Sequence, residues 1–444
     1  GRYDVSSTLP ADNNGYFYPS ASLSFIFSEV LGTSDFLSFG KIRLNYAEVG
    51  SSAPALSTFN TFVINTPFDG TPLTSVSNTL NNPNLLPENT RNIEAGIEAN
   101  FFNNRVGLDV SYYKANTFNQ IIPVNVSGST GSLFKYVNAG EIQNQGLEAS
   151  VRLVPIKTKD FNWEMRVNWT RNRNKVISLF EDQTNIQLSS AQGGITTNAS
   201  VGEPFGTIRG TNYVYHTDGT SPIVDDYARG GVRYRKTSTP ETIGDINPDW
   251  LGGINNAFTY KNLSLSFLID IQKGGDFFSL DTWYGFATGQ HDFTAGTNAN
   301  GGEVRALPED GGGLFIPGAV RQTGTDPDGV PISDGTVNEE AFYASDVFTA
   351  VGYVNAPNAH HIYDAGFIKL RELSLSYSLP ASVMAKTPFA GIEVSLIGRN
   401  LWIIHKNSPY SDPEAGLSAG NILGNQSGAY PAVKEIGANL RVRF

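Results

Sequence analysis

Hydrophobic and polar residues alternate with period two along most of the chain. Ile93, Ala95, Ile97, Ala99 and Phe101 fall on one face of an extended segment, with Glu94, Gly96, Glu98 and Asn100 on the other. The same alternation runs through residues 106–112, 147–153, 163–169, 263–271 and 436–444. It predicts strands with one apolar and one polar side. Many are about ten residues long, the length of a membrane-crossing β-strand and longer than the ~5–6 residues usual in soluble sheets. In residues 367–379 the pattern is mixed, because Leu373, Leu375 and Tyr377 share a face with Lys369 and Arg371. Either the charged half stands above the membrane or a bulge switches faces.

The connections alternate as well. Short links at 30–38, 103–104, 155–160, 261–262 and 380–390 join successive strands. Between these hairpins lie long segments, 50–92, 117–142, 172–250, 273–365 and 402–432, rich in Gly, Asn, Ser, Thr and Pro. Short turns at one end and long loops at the other predict an all-β, antiparallel transmembrane barrel wall with the long segments outside the cell. About 11 strands are firm. Two further pairs, one beginning in 201–216 and one in 277–289, would raise the count to about 15.

Composition narrows the class. The chain has 444 residues and no Cys, which excludes disulfides, thiolate metal sites and a Cys nucleophile. Charged residues make up 16%, against roughly 25% in soluble domains. The net charge of −11 argues against nucleic-acid binding. No stretch reaches the ~18 apolar residues of a membrane-spanning helix. With Gly1 first, and neither an initiator Met nor a signal segment after it, the chain is expected to start inside a longer protein.

Seven blocks in order carry a family resemblance: RYDVSS (2–7), YFYPSASLSF (16–25), NAGEIQNQGLEASV (138–151), GDINPDWLGGINNAFTYKNLSLSF (244–267), YDAGFIKLRELSLSYSLP (363–380), GRNLWI (398–403) and YPAVKEIGANLRVRF (430–444). Together they resemble the C-terminal barrel part of SusC-like (SusC/RagA-type) TonB-dependent outer-membrane transporters. The resemblance implies a ~22-stranded barrel with a plugged lumen. It also implies import of large nutrients, glycans or peptides, under a SusD-like surface lipoprotein that acts as a lid. The energy source would be TonB–ExbB–ExbD, working through an N-terminal plug. The N-terminal extension, the plug and the first strands, about six to eight of them, are expected upstream of residue 1. Outer-membrane lipid would surround the wall, and a dimer of transporter–lid pairs is left open. The segment 211–245 lacks the acidic, glycine-rich run often found there in relatives, so a metal at that place is not expected. Phe444 as last residue matches, by the same resemblance, the terminal signal read by the barrel-assembly machinery; it also simply ends an apolar strand face.

Candidate chemistry is sparse. No H-E-x-x-H, G-x-S-x-G or P-loop pattern occurs, and no catalytic residue, metal or cofactor is expected. His360 and His361 would point to opposite faces of a strand, which disfavours a shared metal. Asp326 and Asp328 lack the remaining ligands of a calcium loop and read as an acidic turn. Trp163 and Trp169 stand six residues apart on one face, ~20 Å along a strand and close to the ~25 Å of a barrel's apolar band. They are read as interfacial girdle residues. Phe59, Phe62, Trp283, Tyr284, Phe286, Phe315, Tyr343 and Tyr353 lie in the long segments. They are candidates for substrate or lid contact, with packing of the loops against each other as the alternative. Competing readings of the whole are a siderophore-type TonB-dependent receptor, a secreted all-β adhesin or carbohydrate-binding protein, and a barrel enzyme.

Overall fold

The computed structural model describes residues 1–227, 231–343, 351–416 and 424–444. Its dominant feature is one eleven-stranded sheet. The strands are β1 (Ser20–Phe25), β2 (Leu37–Ser51), β3 (Glu88–Phe101), β4 (Val106–Phe118), β5 (Glu141–Lys157), β6 (Phe161–Ser178), β7 (Pro248–Tyr260), β8 (Leu263–Gly274), β9 (Phe367–Ser378), β10 (Gly391–Lys406) and β11 (Glu435–Arg443). Each pairs antiparallel with its chain neighbours, so the order across the sheet is the order along the chain. The edges β1 and β11 are not paired with one another.

Register aligns the alternation from strand to strand. Leu44 lies opposite Ala95, Ala95 opposite Tyr112, and Tyr112 opposite Leu147. Directly opposed residues point to the same side, so one apolar face is continuous from Leu23 to Leu440. That face is open: Leu440 is 65% exposed. By contrast, Phe278, in the connecting segments, is 1% exposed. Apolar side chains are therefore outermost on the sheet and innermost in the loops, the inversion required when the sheet faces lipid and the loops face water.

The opposite face carries the charge. Lys41 pairs with Glu98 at 2.5 Å. Arg43 holds Asp109 with both guanidinium nitrogens (2.5 and 3.1 Å), reaches Ser111, and lies 3.5 Å from Glu94. Arg152 and Arg166 both bind Glu164, at 3.0 and 2.7 Å.

The ambiguity in residues 367–379 resolves as a bulge. Leu268 opposes Glu372 while Ile269 opposes Leu370, which leaves Arg371 as the extra residue. Leu370 and Leu373 thus both face outward, while Lys369, Arg371 and Glu372 stay on the charged side. A second register shift, between Leu153 and Ile156, absorbs Pro155, which has no N–H to give the ladder. β5 therefore runs on to Lys157, and the turn at that place is only 158–160.

The two extra strand pairs do not exist in this sheet. Phe205–Gly210 belongs to a separate four-stranded sheet with Asn185–Ala191, Ile195–Ser200 and Glu241–Asp245. Gly202 and Gly206, both at positive φ, interrupt any longer run there. The segment 277–289 ends a short strand and becomes the helix Leu280–Ala287. Ser279 Oγ caps the helix by accepting from Thr282 N (3.2 Å), and Leu280, Trp283 and Phe286 recur at helical spacing and are buried.

Candidate functional site

All the long connections leave one end of the sheet, and the short ones leave the other. At the long-connection end the segments fold into a crown with small cores of its own. One gathers Val224, Val232, Val304, Leu314, Ile316 and Phe342. Another gathers Ile195, Ile208, Phe278, Leu280 and Trp283.

Within the crown, Trp283 stacks on Tyr353 with ring centres 4.1 Å apart, and Tyr284 stands edge-on to both, at 4.9 and 5.2 Å. Gln192 Nε2 donates to the Tyr284 hydroxyl. Trp283 is 4% exposed and Phe286 is also buried, so both rings spend their surface on packing the crown. Tyr284 and Tyr353 keep partly open faces. Phe59 and Phe62 lie elsewhere and are exposed; Phe62 opens the hairpin Phe62–Phe68/Thr71–Val76, whose every residue is exposed. Phe315 and Tyr343 are half-buried. Among the described residues no ring contact joins Phe59, Phe62, Phe315 or Tyr343 to the Trp283 group.

Phe286 is central to a second set of rings that periodicity did not expose: His291, Phe293, His360, His361 and Tyr410, all 4.4–5.9 Å from it. His360 and His361 sit in a single 3₁₀ turn, Asn358–His361, not on a strand, and their ring centres are 5.1 Å apart. His360 Nδ1 bonds to the Tyr213 hydroxyl (2.6 Å) and His361 Nδ1 to Thr282 Oγ1 (3.1 Å). Burial pushes His360 down to about 4, and burial beside His360 and His291 depresses His361 as well. The adjacent pair was the only local signal; its conformation depends on a helix about eighty residues away in sequence. Asp326 forms a turn, with Oδ1 accepting from the backbone of Asp328 (3.0 Å) and Val330 (2.8 Å). Among the described residues no three His, Asp or Glu side chains converge on a metal position.

Below the crown, the charged face of the sheet lines an open groove of about 720 Å³, bordered by Arg43, Asp109, Ser111, Thr170, Asp270 and Glu414. Glu414 is not a wall residue. It lies in the connection after β10, which bends inward over the charged face. Lys369 Nζ holds Asp412 at 2.6 Å and Glu414 at 2.5 Å, and Arg371 holds Glu414 (2.7 and 2.9 Å) and Asp270 (2.6 and 2.9 Å). The Lys369 and Asp412 side chains are 3% and 4% exposed. Asp412 also accepts from the backbone of Glu414 and Ala432, which gives both of its carboxylate oxygens a partner. The bulge at Arg371 makes this possible by keeping both cations on the charged side while Leu373, opposite Phe267, turns to the apolar face.

Trp163 and Trp169 project from the apolar face near its two ends. Trp163 stacks on Phe258 (5.5 Å), and its indole N–H donates to Asn256 Oδ1 at 3.1 Å, which satisfies a polar side chain carried on that face. Phe444 is exposed and edge-on to Phe389 at 5.3 Å.

The profile of the family described as "TonB dependent receptor-like, beta-barrel" matches residues 1–241. Two TonB-dependent receptors of Formosa agariphila are 26% and 25% identical over the whole chain, which covers 44% and 43% of their lengths. The TonB-dependent receptor SusC of Bacteroides thetaiotaomicron is 27% identical over 60% of this chain and 28% of its own. Among solved structures, a chain of the RagAB peptide transporter superposes with a TM-score of 0.72 at 22% identity, over 99% of this chain and 44% of that one. The chain therefore spans less than half the length of the relatives it matches.

Proposed function

Because the chain belongs to the TonB-dependent receptor-like β-barrel family of the bacterial outer membrane, we propose that it forms the C-terminal wall and outer crown of an active importer of large nutrients, glycans or peptides. In this reading the rest of the wall and a plug come from the portion of the relatives that it does not align with. TonB–ExbB–ExbD works on the plug, and a SusD-like lipoprotein closes over the crown. The long connections face outward, the short turns face the periplasm, and Trp163 and Trp169 mark the two membrane interfaces.

The observation that carries the proposal is the pairing of a lipid-type apolar face with a charged inner face, with the folded crown at one end only. Such a crown suits capture of a large solute, because loops on a rigid scaffold carry recognition. The open faces of Tyr284 and Tyr353, together with exposed Phe59 and Phe62, are the surfaces proposed for ligand or lid contact. Similarity to a peptide transporter and to SusC supports the class and leaves both glycans and peptides in play.

The test is deletion of the gene, alone and with its neighbouring lid gene, followed by growth on defined polysaccharides and peptides. Loss of growth on one class, restored by the gene, is expected. Undiminished growth on every polymer, with a small iron chelate the only nutrient affected, would replace this reading with a siderophore receptor.

A further inference from the structure

The apolar face of the sheet changes character at its crown end. Above Ile93, Tyr112 and Leu147 the outward positions become Arg91 on β3, Lys114 on β4 and Arg171, Arg173 and Lys175 on β6. Register sets them side by side. Lys114 opposes Ile93 and Gln145, and Gln145 opposes Arg173. Arg171 opposes Leu147, which opposes Tyr112. Lys175 opposes Gln143, Gln143 opposes Asn116, and Asn116 opposes Arg91. With strands ~4.8 Å apart, five cations share a patch about 15 Å wide.

Two of the five are neutralised locally: Arg91 pairs with Glu48 (3.2 Å) and Arg173 with Asp249 (2.7 Å). The remaining carboxylate on this face, Glu141, accepts from Asn116 (2.5 Å). The side chains of Lys114, Arg171 and Lys175 have no hydrogen bond or ion pair among the described residues, and all three are exposed. In a chain of net charge −11 this is an unusual concentration of free positive charge. It begins where the lipid-facing surface ends, with Tyr112 and Trp169 at the boundary.

We infer that Lys114, Arg171 and Lys175 form a docking surface for the phosphate groups of an anionic lipid headgroup in the outer leaflet. The occupant follows from continuity with the apolar face: a molecule touching both surfaces has acyl chains beside Leu147 and Tyr112 and negative charge one row higher. Basic residues just beyond a hydrophobic band attract anionic lipid in this way. The leaflet assignment rests on the outward orientation of the long connections proposed above; the phosphate preference does not.

The full-length transporter, purified in mild detergent, is titrated with bisphosphorylated lipid A and with the dephosphorylated lipid. The phosphorylated form should bind more tightly. Lys114→Gln, Arg171→Gln and Lys175→Gln should each weaken it about fivefold, and the triple variant about a hundredfold. Heat-modified gel mobility verifies that each variant is a folded barrel, and the single variants carry the test if the triple one is not. Unchanged affinity in the folded variants, or equal binding of the dephosphorylated lipid, would overturn the inference. Phosphatidylglycerol in place of lipid A co-purifying from cells, with micelle binding intact, would overturn the leaflet assignment and the outward topology but not the phosphate preference.

Discussion

At the residue scale, the two faces of a strand make opposite demands. Phe267 opposes Leu373 on the apolar face, and Ser266 opposes Ser374 on the charged face. Phe267→Arg should destabilise the barrel by about 2–4 kcal/mol in a bilayer, because it places a cation near the midplane. Ser266→Arg should cost far less. Equilibrium unfolding in lipid vesicles measures both, and equal losses would mean a sheet buried on two sides. In the crown, His360 and His361 favour the neutral form, so the folded state binds fewer protons than the unfolded one below the ordinary histidine value of ~6.5. Their contribution is complete above that pH and is lost as pH falls toward about 4, where His360 protonates. Among the described residues no carboxylate bonds to either ring: His360 meets Tyr213, Tyr234 and Phe286, and His361 meets Thr282, Phe278 and Phe286. Protection of the amides in the helix Leu280–Ala287, corrected for the intrinsic exchange rate at each pH, should therefore be lower at pH 5 than at pH 7.5. His360→Gln with His361→Gln should flatten that difference.

At the element scale, the connection after β10 is held inside by one buried cation. Removing one partner of such a pair leaves uncompensated charge, at about 3–5 kcal/mol. Lys369→Met should release residues 407–416 from the groove and open them to protease, while the sheet survives. Lys369→Met with Asp412→Leu should restore part of the protection, because no buried carboxylate is then left without its cation at that position. Equal cleavage in the wild type and the single variant would show that Arg371 and Glu414 alone hold the strap. The bulge at Arg371 is the prerequisite: without it, β9 would alternate strictly, and either Lys369 would point into lipid or Leu373 would point into the lumen.

At the scale of the whole molecule, the sheet is a meander whose edges β1 and β11 do not meet, and unpaired backbone in lipid costs several kcal/mol per group. In the intact transporter both edges are expected to be paired. Protease added to intact cells should cut within 50–92 and 273–365 and spare the short turns at 102–105, 158–160 and 261–262. Cleavage confined to those turns would invert the topology and place the crown in the periplasm.

The wall was legible in the sequence because a strand between lipid and a watery lumen is specified locally. Each residue's side follows from its parity, and the eleven strands could be read one at a time. Chain order then sufficed for sheet order, since every strand pairs with its chain neighbours. Three things were decided only in three dimensions. The face of Lys369 and Arg371 depended on a bulge that strict parity does not predict. The segments 201–216 and 277–289 looked long enough to span, yet they build the crown, because glycines at positive φ interrupt one and a capped helix begins in the other. The fates of the candidate aromatics diverged: Trp283 and Phe286 are buried by Tyr353, His360 and His361, partners roughly seventy residues further along the chain, while Phe59 and Phe62 stay exposed. Such partners carry no common period, so no local pattern records them.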